Sequence, residues 1–211
     1  NGYFYADQYV NEVYQSIENA YDYNFNDILK IYPEIDSSTI QSSSAQLDDA
    51  FKKSSQVIEW YPNSDWVDDN YLVIGKIRYL RAQFQYALET FQYVYNKTED
   101  DDARQKALIL LMRTYMDMGE IDKAKEVIDY IELEKLSVEN TLEYRLQSAY
   151  LYQRQGEIEQ MREALTDIAD YIPEKDLRAR AHFILGQLAE RDADFPQALS
   201  YYDEAIRGTP P

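Results

Sequence analysis

Apolar residues recur along this chain at spacings of three and four, the stripe an α-helix lays along one face. Tyr3, Tyr5, Tyr9, Val13, Ile17, Ala20 and Tyr21 mark a first amphipathic helix over about 7–22. A short helix is expected around 26–31, ended by Pro33, which cannot donate into a helix and restricts its predecessor. Asp36 and Ser37 then stand as N-caps. Behind them Ile40, Ser44, Leu47, Phe51, Ser54 and Ile58 keep the rhythm to Tyr61 and Pro62. One long helix over about 38–61 is therefore expected, despite the serines at 42–44.

From Asp65 a longer period overlies the helical one. Ala87, Ala124, Met161 and Ala198 follow one another at intervals of 37 residues. So do Gly75, Met112, Ala149 and Gly186, then Ile74, Leu111, Ser148 and Leu185. Phe91, Ile128, Leu165 and Tyr202 form a further series, as do Val94, Ile131, Ile168 and Ala205. Gly119 and Gly156 fall in the turn between paired helices, and Pro62, Pro173 and Pro210 close units. Small residues where two helices touch, with larger ones beside them, resemble the tetratricopeptide pattern, whose usual unit is about 34 residues. The expected fold is all-α: an α-solenoid of about four 37-residue units, 68–104, 105–141, 142–178 and 179–211. Counting back 37 from Ala87 reaches Ala50, so the 38–61 helix resembles the second helix of a degenerate fifth unit. Residues 1–64 would form a helical cap and 65–211 the array. With no cap after the last unit, the helix Phe195 to Arg207 is expected to meet further chain or a partner, and the start at Asn1 suggests a processed or truncated chain.

Composition narrows the function. The chain has 211 residues, 39 acidic and 21 basic, for a formal charge of −18. Phosphate backbones and anionic lipid repel such a protein, so nucleic acid and charge-driven membrane binding are not expected. No apolar run reaches the roughly 18 residues of a membrane span. The absence of cysteine removes disulfides, thiolate metal sites and cysteine nucleophiles, and fits an oxidising compartment as well as the cytosol. The 21 tyrosines suit half-buried helix faces and protein interfaces.

Catalytic signals are missing. The one histidine, His182, sits where these repeats place a packing aromatic, and it has no second histidine to pair with on a metal. No glycine-rich phosphate loop occurs. The acidic runs Glu99 to Asp102 and Asp65 to Asp69 lack calcium-loop spacing and suit helix N-termini. Asn96-Lys97-Thr98 is a glycosylation sequon. No catalytic, metal or cofactor residue is assigned, and a non-enzymatic role is expected. In a stacked array five positions of each first helix face a concave groove. Their candidates are Lys76, Tyr79, Lys106, Arg113, Met116, Tyr150, Arg154, Arg180, Gln187 and Arg191, with Asp69, Asp117, Glu143 and Glu190 as the acidic members. Such a groove suits an acidic or carboxyl-bearing peptide; the competing reading is pairing within it, such as Arg113 with Asp117.

One stretch is more specific. Residues Trp66 to Lys76 (WVDDNYLVIGK), with Ala87 to Phe91 (ALETF), resemble the tetratricopeptide lipoproteins of gliding, Bacteroidetes-type bacteria. Asn24 to Leu29, Tyr32-Pro33 and Gln56 to Ile58 are similar to the segment before their first repeat. The likeness covers roughly residues 1–95. It implies a periplasmic adaptor, lipid-anchored to the outer membrane through a cysteine outside this chain, linking a type IX secretion translocon to periplasmic ring components. An outer-membrane assembly or cell-wall-linked lipoprotein, and the helical regulatory domain of a larger enzyme or sensor, are the alternatives.

Overall fold

Four turns with one geometry punctuate the chain. Ala82, Gly119, Gly156 and Ala193, again 37 residues apart, all take positive φ, at 56°, 80°, 74° and 62°. In each, the next residue's N–H reaches back to the carbonyl five positions earlier at 2.9 Å: Gln83 to Arg78, Glu120 to Tyr115, Glu157 to Tyr152, and Asp194 to Ala189. This is the left-handed helix terminus that satisfies orphan carbonyls and favours glycine. Alanine at two of the four is strained by its Cβ, at roughly 1–2 kcal/mol. Replacing Ala82 and Ala193 by glycine is therefore expected to raise the urea midpoint, and Gly119→Ala with Gly156→Ala to lower it. Equal midpoints for both pairs would remove the strain argument.

The structure is a computed structural model that describes residues 2–208, so the closing proline expected at Pro210 lies outside the described residues. Among these residues there is no strand. The helices are α1 (Gly2–Ala20), α2 (Ser37–Ser42), α3 (Ser44–Trp60), α4 (Val67–Leu80), α5 (Phe84–Lys97), α6 (Asp101–Asp117), α7 (Ile121–Glu132), α8 (Val138–Gln155), α9 (Ile158–Ile168), α10 (Lys175–Arg191) and α11 (Phe195–Gly208), with a 3-10 turn at Ala169–Tyr171. The protein is all-α. It divides into two compact units: one takes residues up to Tyr21 together with Pro33–Asn140, the other Asp22–Tyr32 together with residues from Thr141 on.

In the first unit α3 packs on α4, α4 on α5, α5 on α6 and α6 on α7, while α1 packs on both α3 and α4. Ala6, Val10, Val13 and Ile17 bury the inner stripe of α1. The 37-residue series supply the core: Ala87, Met112, Ala124 and Val94 are fully buried. Gly75 is needed where α4 meets α5, since an added Cβ would run into the Phe91 ring. In the second unit α10 packs on α9 and α11, and Gly186 faces the Tyr202 ring in the same way. Acidic caps act as expected. Asp36 Oδ2 accepts from the Ser38 and Thr39 amides at 3.1 Å, and Asp100 Oδ1 accepts from Ala103 at 2.8 Å. These bonds, the Ser38 hydroxyl foremost, hold the Asp36 carboxyl below the usual carboxylate range.

Two sequence expectations fail. The helix over 38–61 is broken at Ser43. There the Ser42 hydroxyl donates to the Thr39 carbonyl at 2.8 Å, a side-chain bond that competes with the helical ladder. The short helix around 26–31 does not form. Asn24 caps a tight turn instead, its Oδ1 accepting from the Asn26 amide at 3.2 Å, and the chain then runs without helix to a bend at Ile31 and Tyr32. Its amides find partners far away in sequence.

Candidate functional site

Residues 22–32 and the two helices they lie against make the most constructed feature of the second unit. On α8, spacings of three and four set Gln147, Tyr150 and Arg154 along one stripe, with Gln153 beside it. On α10 they align Arg180, Phe183 and Gln187. Two glutamine amides read the main chain of the segment. Gln187 Oε1 accepts from the Leu29 amide at 2.9 Å, and its Nε2 donates to the carbonyls of Asp27 at 2.6 Å and Phe25 at 3.2 Å. Gln153 Oε1 accepts from the Ile31 amide at 2.8 Å, and its Nε2 donates to the Leu29 carbonyl at 2.8 Å. A primary amide offers the same donor and acceptor as a peptide group. The pair therefore imitates the ladder that a neighbouring strand would give an extended peptide.

Arg180 continues the row. Its Nη1 donates to the Ile31 carbonyl at 3.0 Å, and its guanidinium stacks 4.8 Å over the Tyr23 ring. The side chains that enter are Leu29 and Ile31, 6% and 1% exposed, with Lys30 between them facing solvent. Tyr32 meets Tyr150 edge-on at 5.2 Å and accepts from Gln147 Nε2 at 2.9 Å. Phe25 meets Phe183 edge-on at 5.4 Å. Recognition is thus of main chain and apolar side chains. The buried arginine donates to a main-chain carbonyl of the segment.

Four of the ten expected groove residues surround this segment or support it: Tyr150, Arg180 and Gln187 directly, and Arg154 through the Tyr150 hydroxyl, 3.4 Å from its Nη1. Arg191 is exposed on the last turn of α10. The sequence reading missed Gln153, Gln147 and Phe183. Gln153 stands at one of the five groove positions and lacked only the charge or ring that drew attention to its neighbours.

The other five lie in the first unit, each packed or paired within it. Lys76 Nζ is 3.8 Å from Asp7 of α1. Tyr79 is buried and donates its hydroxyl to Asp117, whose carboxylate also takes Arg113 Nε at 2.7 Å. Burial lifts the Tyr79 phenol well above its usual value, Arg113 opposing and Asp117 adding to the shift. Met116 is fully buried, and Lys106 pairs with Glu139 at 3.4 Å. The competing expectation, Arg113 paired with Asp117, is what occurs. Of the remaining acidic candidates, Glu143 accepts from Gln147 at 2.7 Å and Glu190 from the Tyr202 hydroxyl at 2.7 Å. Burial foremost, then that carboxylate, raises Tyr202 to about 12. Burial likewise raises Asp69.

Elsewhere, His182 is packed at 5% exposure with Nε2 3.2 Å from Asp170. Tyr3, Trp60, Tyr61 and Trp66 line an open cavity of about 540 Å³ in the first unit, where Tyr3 stacks on Trp66 at 4.9 Å. On α11, Phe195, Leu199 and Ile206 are each more than half exposed, an apolar stripe on its outer face. Among the described residues no group of three or more His, Asp or Glu gathers as for a metal ion, and no helix is long and apolar enough to cross a membrane. No protein-family model matches this chain, and no curated protein matches it.

Proposed function

We propose that this protein is a non-enzymatic interaction scaffold, an α-solenoid of tetratricopeptide-like hairpins that holds extended polypeptide on its first helices. One observation carries the proposal: the paired amides of Gln153 and Gln187, which take both donors and acceptors of an extended main chain. The four like turns at 37-residue intervals, and the Gly75–Phe91 and Gly186–Tyr202 contacts three such intervals apart, support the repeat assignment. The likeness of residues 1–95 to gliding and type IX secretion lipoproteins extends the proposal to a periplasmic adaptor. In that role it joins an outer-membrane translocon to periplasmic components, and its lipid anchor lies outside this chain.

The test is affinity purification from the native envelope with mass spectrometry, comparing the unchanged chain with Arg154→Glu plus Arg191→Glu. Both side chains are exposed on the helices that carry the segment. The expected result is recovery of outer-membrane and periplasmic machine components, with at least one lost in the variant. An identical set of recovered proteins from both chains would overturn the scaffold role of this face.

A further inference from the structure

We infer that the open aromatic cavity of the first unit is a binding site for a neutral oligosaccharide. The inference concerns this unit alone and is independent of the scaffold proposal.

Tryptophan carries a large apolar surface and is highly buried on average. This chain has two, Trp60 and Trp66, and both leave more than half of their surface in water, at 61% and 55%. Both line the same cavity, and Tyr61, the residue after Trp60, lines it at 62% exposure. The volume of about 540 Å³ lies within the range of about 300–1,000 Å³ that small-molecule sites occupy.

The rings are held in place before any ligand arrives. Trp60 ends α3, and Tyr61 to Trp66 form the turn into α4. The Ser64 amide donates to the Tyr61 carbonyl at 2.9 Å, and the Ser64 hydroxyl accepts from the Trp66 amide at 3.3 Å, which ties the turn. Tyr3 of α1 stacks on the Trp66 indole with 24° between the ring planes. Gly2 lets α1 come this near, since a Cβ there would meet Val57 Cγ2 of α3 at 2.6 Å. Rings already ordered spare a ligand the entropy of immobilising them.

Charge then selects the ligand. Among the described residues that line the cavity, Lys53 alone is charged. Its ammonium is 3.5 Å from Asp49, and it lies 5.9 Å and 6.0 Å from the ring centroids of Tyr5 and Tyr9. A ligand cation drawn to these rings would meet that ammonium. A ligand anion would find it already paired, on a protein of formal charge −18. A neutral ligand remains, with flat C–H faces for the rings and a polar edge for Gln56 and the hydroxyls of Ser64 and Tyr61. These polar groups both donate and accept. Sugar hydroxyls do both as well. The carbonyls of a proline-rich peptide, the other neutral ligand of aromatic grooves, only accept, and would leave the acceptors of this edge unused. Three exposed rings, Trp60, Tyr61 and Trp66, call for more than one sugar unit.

Both tryptophans report on the site directly. The full chain is titrated with the hexamers of α-1,4-linked glucose, β-1,4-linked glucose and β-1,4-linked N-acetylglucosamine, and with a proline hexamer, while tryptophan emission is recorded. At least one sugar is expected to give a saturable blue shift, because it removes water from the indoles. Trp60→Ala, read through Trp66, is expected to weaken that binding about tenfold or more. Gln56→Ala is expected to weaken it about fivefold. Trp60 is mostly exposed, so the urea midpoint of its variant should match that of the unchanged chain, which separates lost binding from lost folding. No saturable shift with any of the sugars would overturn the inference. Binding of the proline hexamer alone would do the same, by making the cavity a peptide site. Sugar binding left unchanged by Trp60→Ala combined with Tyr61→Ala would place the sugar elsewhere and also overturn it.

Discussion

Phe91→Ala should destabilise the first unit by about 3–5 kcal/mol, the range for truncating a fully buried aromatic. The ring lies against Gly75, where α4 packs on α5, and a close-packed interior refills such a volume only in part. The converse substitution, Gly75→Ala, overpacks the same contact, because its Cβ runs into the Phe91 ring. Its cost should be about 1–3 kcal/mol. The two losses share one cause, so the double variant Gly75→Ala with Phe91→Ala should cost clearly less than their sum, the new methyl entering space the ring has left. Urea unfolding followed by tryptophan fluorescence measures this cleanly. The chain has two tryptophans, Trp60 and Trp66, and both belong to the first unit. Strictly additive losses would show that the glycine is not there for the ring, and a Phe91→Ala loss below about 1 kcal/mol would show that the interface can collapse.

That contact is legible in the amino-acid sequence alone. Gly75 with Phe91 and Gly186 with Tyr202 sit at equal offsets in units three 37-residue periods apart, and the four turn residues recur at single periods. Repetition makes such features readable, because chance does not place a small residue opposite a large one at a fixed interval. The turns show the limit of that legibility. Gly119 and Gly156 announce a left-handed terminus, whereas Ala82 and Ala193 adopt it with no local sign, held there by the helices on either side.

Residues 22–32 were misread for a related reason. Asn26 to Ile31 carries a helical spacing of apolar residues, and nothing within twenty positions contradicts a helix. The decision is made by Gln153 and Gln187, 122 to 162 residues away in sequence, which satisfy the extended main chain. Local propensity loses to a tertiary partner of equal hydrogen-bonding capacity. Choosing charged and aromatic residues at concave positions found Arg180 and Tyr150 but passed over Gln153, the uncharged side chain that makes the bidentate contact. In the first unit α1 packs on α4 and supplies Asp7 to Lys76, so that position is paired within the unit.

Gln153→Met together with Gln187→Met should release this segment while leaving the first unit folded. Methionine keeps the length and most of the volume of glutamine, so packing is little changed. The five bonds to the Leu29 and Ile31 amides and to the Phe25, Asp27 and Leu29 carbonyls are lost outright. Each such bond contributes about 0.5–1.5 kcal/mol net, and a buried group left without its partner costs about 1–3 kcal/mol. Against this stand the burial of Leu29 and Ile31, roughly 1.5–3 kcal/mol each, and the two bonds to Arg180 and Gln147 that remain. Detachment frees the amides to bind water, so the segment gains by leaving, and the loss stays local. Hydrogen exchange at the Leu29 and Ile31 amides should accelerate about 100-fold or more, equivalent to roughly 3 kcal/mol of lost protection. The tryptophan-detected urea midpoint should stay within the error of the unchanged chain. Gln153→Glu alone should fall between the two, since its carboxylate still accepts from the Ile31 amide but can no longer donate to the Leu29 carbonyl. Preserved protection in the double variant would mean that Leu29, Ile31 and Arg180 suffice to hold the segment and that the glutamines only follow it.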